Sequence, residues 1–202
     1  MIELVGIGIA AASMGVSVVT AWLTLGRRGR IRAAQPPTVY FGPDGAREVH
    51  SKVFVRLLLY STAARGRIVE GMYARLHRGD STQTFSVWVC GERRGELIRG
   101  AGLTVRPDGI ARDHHFLLPR DGTAYPFLAG HYRLELFAVL VGDRRPTKLK
   151  TIELSLNESH ATTLRDDKTA GLYFDGCRSR IAPDCIIKLP SSTRHARELA
   201  LG

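Results

Sequence analysis

Hydrophobic positions fall along this chain in two rhythms. From Leu4 to Leu25 they form one run of 22 residues without a formal charge. At about 1.5 Å rise per residue, such a run as a helix is roughly long enough to cross a bilayer core of about 30 Å. After Gln35-Pro36-Pro37, a stiff exit, the apolar positions come in short segments that alternate with polar ones. Pro43-Asp44-Gly45, Arg78-Gly79-Asp80, Pro107-Asp108-Gly109 and Asp121-Gly122 punctuate them. In such turns proline presets the first corner and glycine accepts positive φ. Their spacing predicts an all-β domain.

Strands are predicted at Lys52–Tyr60, Arg67–Leu76, Thr84–Cys90, Gly102–Val105, Ile110–Leu118, His131–Val141 and Lys148–Leu156, with a late one at Cys185–Leu189. In the third, Phe85, Val87 and Val89 are expected on one face and Ser86, Trp88 and Cys90 on the other. From His131 onward, Tyr132, Leu134, Leu136 and Ala138 alternate with His131, Arg133, Glu135 and Phe137. That is the half-buried pattern of a two-layer antiparallel β-sandwich. Arg67–Leu76 reads two ways, since Ile68, Met72 and Leu76 would also line a helix; the strand is preferred because its neighbours are strands. Beyond Thr162 the pattern weakens. The chain thus divides into a transmembrane helix (1–26), a basic juxtamembrane linker (27–37), the sandwich (38–190) and a loose polar tail (191–202).

Phe127 to Leu136 reads Phe-Leu-Ala-Gly-His-Tyr-Arg-Leu-Glu-Leu. Gly130-His131-Tyr132 at the head of an alternating strand resembles the corner before a late strand in immunoglobulin-like and fibronectin type III-like sandwiches. The resemblance implies that the Tyr132 hydroxyl bonds to the backbone upstream. It implies no ligand. No cysteine pair brackets Trp88 in the antibody manner, so an inter-sheet disulfide is not implied.

The flanks of the long apolar run decide its role. A signal peptide would open with basic residues and close on a small-x-small site; here the extreme N-terminus holds Glu3, and arginines follow the core. A retained span is the reading. Arg27, Arg28, Arg30 and Arg32 lie on its C-terminal flank, with Trp22 at the interfacial position. Positive flanks stay cytoplasmic, so the folded domain is expected there. Gly6 and Ala10, Gly8 and Ala12, and Ala11 and Gly15 are small residues four apart, which would admit a second helix and allow a homodimer. Small residues are also simply common in membrane helices.

The net charge is +10, from 29 basic and 19 acidic residues. Without residues 1–35, 25 basic residues still face 18 acidic ones, a net of +7. A basic domain beside a cytoplasmic leaflet is drawn to anionic lipid. Nucleic acid is the less favoured partner, because no helix-turn-helix, zinc finger or aromatic-basic motif accompanies the charge.

Candidate chemistry is sparse. His114 and His115 are adjacent, so on a strand they point to opposite faces and cannot easily share a metal ion; one inward, hydrogen-bonded histidine and one surface histidine are expected. Cys177 and Cys185 could form a disulfide if the domain were exported, and should be reduced in a cytoplasmic setting. Cys90 is expected to pack as a small apolar residue. Arg78-Gly79-Asp80-Ser81 spells an adhesion tripeptide but is explained by a hairpin tip. Asn157-Glu158-Ser159 is a glycosylation sequon only for a lumenal domain. No phosphate-cradling loop, dinucleotide fingerprint or nucleophile elbow occurs, and no metal or cofactor is implied. The expected function is a non-catalytic binding or scaffolding module for a protein partner. Its contact loops are expected around Glu92–Arg99, Asp143–Thr147 and Gly176–Cys185. An exported envelope module, or an enzyme whose site is assembled only in three dimensions, is the alternative.

Overall fold

The computed structural model describes residues 2–22, 29–44, 50–62, 65–91, 97–100, 102–119, 124–175 and 185–188, without the side chains of 2–5, 97–98 and 185–188. Helix α1 (Ile2–Ala21) precedes two packed antiparallel sheets. Eight strands form the larger: β1 (Ile31–Ala33), β2 (Thr38–Pro43), β3 (Ser51–Ser61), β6 (Val87–Gly91), β7 (Leu97–Arg99), β9 (Ile110–Leu117), β12 (Gly171–Asp175) and β13 (Cys185–Lys188). Its order is β13-β12-β2-β3-β9-β6-β7, with β1 beside the C-terminal half of β3. The smaller runs β11-β10-β4-β5, with β8 also on β4. Its members are β4 (Arg67–Arg78), β5 (Ser81–Phe85), β8 (Leu103–Val105), β10 (Gly130–Leu140) and β11 (Thr147–Leu156). Helix α2 (Glu158–Asp166) links β11 to β12.

Alternation builds the core. Val53, Val55, Leu57 and Leu59 of β3 face Met72, Ala74 and Leu76 of β4 and Tyr132, Leu134, Leu136 and Ala138 of β10, all buried. The sandwich expected from the pattern is therefore present. Arg67–Leu76 is a strand, and its alternation is interrupted once. The β4–β10 register slips between Val69↔Leu140 and Gly71↔Val139, leaving Glu70 as an extra residue. A bulge shifts the phase of alternation, so Val69 and Met72 both point inward while Ile68 is 44% exposed.

The predicted strand Thr84–Cys90 is two strands. β5 belongs to the smaller sheet and β6 to the larger, and the chain crosses between them at Ser86. The crossing also resets the phase: Phe85, Trp88 and Cys90 are buried, while Val87 and Val89 are not, so the expected face assignment is corrected. β1, β2, β7, α2 and β12 are elements the pattern did not predict, and β1 falls in the stretch read as a linker. The late strand is found at Cys185–Lys188.

Among the described residues, no helix is long and apolar enough to cross a membrane. The apolar run predicted as a span continues to Leu25, into residues outside the described set. From Gly6 on α1 to Trp22 just beyond it, every residue is exposed, including Ile7, Met14 and Val16.

Candidate functional site

Antiparallel pairing gives the sandwich two ends. At the end where the chain enters from α1 lie the start of β1, the end of β3, the starts of β4, β9 and β11, and the ends of β8 and β10. The other, distal end holds the close of β2 and β11, the start of β3, the segment before β10, and α2.

An open cleft of about 740 Å³ occupies the distal end. Tyr125 and Phe127 line it, and both belong to an aromatic cluster beneath. Phe127 stacks on Phe41 at 4.8 Å, Phe41 meets Tyr132 edge-on at 5.6 Å, and Tyr125 meets Phe85 edge-on at 5.8 Å. Such pairs are each worth about 0.5–1.5 kcal/mol beyond area burial and hold the rings in fixed orientations. The Ser51 hydroxyl ties the segment to β3, donating to the Tyr125 carbonyl at 2.8 Å and accepting from its N–H at 3.2 Å.

The corner that follows is built around Tyr132 and Arg78. The Tyr132 hydroxyl donates to the Leu128 carbonyl, four residues upstream. Arg78 donates to the Ala129 carbonyl at 2.9 Å. Gly130 sits between at φ +139°, a conformation few side chains adopt, and an added Cβ would lie 3.6 Å from the Arg78 side chain. Burial raises the Tyr132 hydroxyl above the usual tyrosine range, so it stays protonated as the donor.

α2 supplies the cationic wall. Asn157 caps it: its side-chain oxygen accepts from the His160 N–H at 2.8 Å and the Ser159 hydroxyl at 2.9 Å. Leu164 and Arg165 on α2, Lys168 just beyond it and His50 across the cleft complete the lining. No carboxylate lines the cleft among the described residues. Its base is aromatic, and its rim carries Lys168 and Arg165, the latter paired with Asp166 at 3.4 Å.

A second polar cluster is sealed inside. Trp88 on β6 donates from its indole N–H to Nδ1 of His114 on β9 at 3.1 Å, with the rings stacked at 5.9 Å. His114 is fully buried, and its Nε2 has no hydrogen-bond partner among the described residues. Burial, reinforced by His115 and Arg112, lowers its pKa to about 4. His115 points the other way, against Phe54 at 4.8 Å; burial and Lys52 lower its pKa to about 4 as well. No group of three metal-ligating side chains occurs among the described residues.

The remaining sequence candidates are scattered. Trp22, directly after α1, is exposed. Arg30 and Arg32 are exposed beside and within β1 rather than in a free linker. Arg27, Arg28 and Cys177 lie outside the described residues, as do most of the loops at Glu92–Arg99 and Gly176–Cys185. Cys185 pairs with Phe174 in the β12–β13 ladder. Asp143–Thr147 sits at the helix-proximal end, away from the cleft. Gly79-Asp80 is a two-residue hairpin tip, with Gly79 at φ +54°. The cleft escaped sequence reading because its walls come from segments near residues 50, 125 and 165.

No protein-family model and no curated protein sequence matches the chain. Among solved structures, a family 123 glycoside hydrolase from Clostridium perfringens aligns at 10% identity, over 64% of this chain and 27% of that one, with a TM-score of 0.33. The chain therefore spans about a quarter of that enzyme.

Proposed function

We propose that the protein is a membrane-anchored, non-catalytic binding module with an immunoglobulin-like sandwich, which presents its distal cleft to a protein partner on the cytoplasmic side. The anchor reading rests on the sequence run from Leu4 to Leu25 and on α1, which has no charge after Glu3 and whose Ser13, Ser17 and Thr20 hydroxyls donate to carbonyls one turn back, yet which packs against nothing among its described residues. A helix of that character needs an apolar environment. The arginines after it favour the cytoplasmic orientation.

Strand order supports the immunoglobulin-like reading. The central strands run β2-β3-β9-β6 and β11-β10-β4-β5, as A-B-E-D and G-F-C-C′ do in that fold, and Tyr132 stands where strand F begins. Trp88, on the D-equivalent strand, is not the strand-C tryptophan of antibody domains.

The observation that carries the binding reading is the cleft: a fixed aromatic base, Lys168 and Arg165 at the rim, the latter paired with the exposed Asp166 at 3.4 Å, and no carboxylate among the described lining residues. General acid–base chemistry needs a converging pair of groups with separated proton affinities, which this lining does not supply. An apolar side chain flanked by acidic residues, as in an extended peptide, fits it. Selection of peptides on the full chain in detergent is the test. Aromatic or aliphatic sequences flanked by Asp or Glu should emerge, and Arg165→Glu with Lys168→Glu should abolish their binding. Peptides of any other character, or binding indifferent to those changes, would overturn the reading.

A further inference from the structure

We infer that the helix-proximal end of the sandwich is a second membrane contact, lying on anionic lipid headgroups; this rests on the anchor reading above. The surface is assembled from four separate stretches. Arg30 enters β1, and its carbonyl accepts from the Thr62 N–H at 3.0 Å. Arg65 lies in the β3–β4 connection, where its carbonyl accepts from the Ser61 hydroxyl. Arg106 opens the turn closed by Gly109, and its carbonyl also accepts from the Ser61 N–H at 3.1 Å. Arg144 and Arg145 lie in the β10–β11 connection, beside Asp143.

All five arginines are exposed, and none forms an ion pair among the described residues. The acids nearby do not cancel them. Asp143 is taken by Arg67 at 2.7 Å, which leaves Asp108 in the Arg106–Gly109 turn as the exposed acid among these loops. Arg67 also donates to the Gly29 carbonyl at 3.1 Å, fixing this end to the point where the chain arrives from α1. Two apolar side chains stand in the same place: Ile68 and Val141 are 44% and 53% exposed, and the Val141 N–H bonds the Ile68 carbonyl. Arginines around exposed aliphatic groups, at the end tethered to an apolar helix, match a headgroup layer with acyl chains beneath it. The basic charge that a sequence scan finds scattered is thus partly gathered by the fold onto one end.

The test uses the full chain in lipid nanodiscs, either zwitterionic or containing about 30% anionic lipid, with hydrogen exchange read at residues 141–147 and at Thr62 to Gly66. Exchange at both loops should slow severalfold in the anionic discs. That protection should vanish at about 0.5 M salt and in the variant Arg65→Gln, Arg106→Gln, Arg144→Gln, Arg145→Gln. A chain held by both kinds of disc with equal exchange in each would overturn this inference and leave the anchor standing. A chain retained by neither would overturn both. Protection conferred by a short DNA duplex, and not by anionic discs, would also overturn it and assign the surface to nucleic acid.

Discussion

His114 and Tyr132 show how single residues acquire roles from their surroundings. Tyr132 closes a corner because its ring is held under Phe41 while its hydroxyl reaches Leu128. His114 is held neutral between Trp88 and Phe116, opposite Cys90, with Arg112 and His115 nearby. Its folded pKa is about 4 against 6.5 for an exposed ring. Between those values the unfolded chain binds more protons than the folded one, so stability is full above about pH 6.5 and falls as the pH drops toward 4. For His114 the loss across that window is about 3 kcal/mol. His115 adds in the same direction. Thermal melts at pH 7, 6, 5 and 4 should show a falling Tm. In His114→Gln, which keeps an acceptor for Trp88 but cannot titrate, the fall should be shallower; an unchanged slope would remove His114 from the account. The adjacent histidines were legible as one inward and one outward residue because strand geometry requires it. The inward partner was not, since Trp88 lies 26 positions away and on another strand.

Among the elements, legibility follows regularity. β3, β9 and β10 alternate over long stretches, as β11 does beyond its register shift at Leu149, and their predicted bounds fall within a residue or two of those observed. Where the chain departs from the two-residue period, the pattern misleads for a definable reason: the extra Glu70 in β4 turns Ile68 away from the face that Met72 and Leu76 share, and the crossing at Ser86 joins two strands into one apparent run. Short edge elements such as β1 and β7 carry too few residues for a period to register. α2 was missed for a different reason, since Asn157 reads as a sequon and Ala161 is its one buried residue. The cap makes a direct prediction. Asn157→Ala should cost about 1 kcal/mol in chemical denaturation. Because Leu164 and Arg165 ride on this helix, it should also weaken any peptide held in the cleft; a change in stability without a change in binding would detach α2 from the site.

At the scale of the whole molecule, the two ends of the sandwich divide the labour that the proposal assigns. The basic end receives the chain from α1, and the aromatic cleft faces the other way, so a domain standing on a leaflet would offer the cleft to the adjoining compartment. Which compartment that is depends on orientation, and the three cysteines report it. Cys90 is buried at 8% exposure and should resist labelling until the domain unfolds. Cys177 lies outside the described residues, and Cys185 opens β13. In intact cells a membrane-impermeant thiol reagent should leave both unlabelled; after permeabilisation both should react without prior reduction, because a reducing cytoplasm keeps them as thiols. Labelling of intact cells only after reduction would place the domain outside with a Cys177–Cys185 bridge. The arginines of the helix-proximal end would then face the outer leaflet, and the partner of the cleft would have to be sought outside the cell.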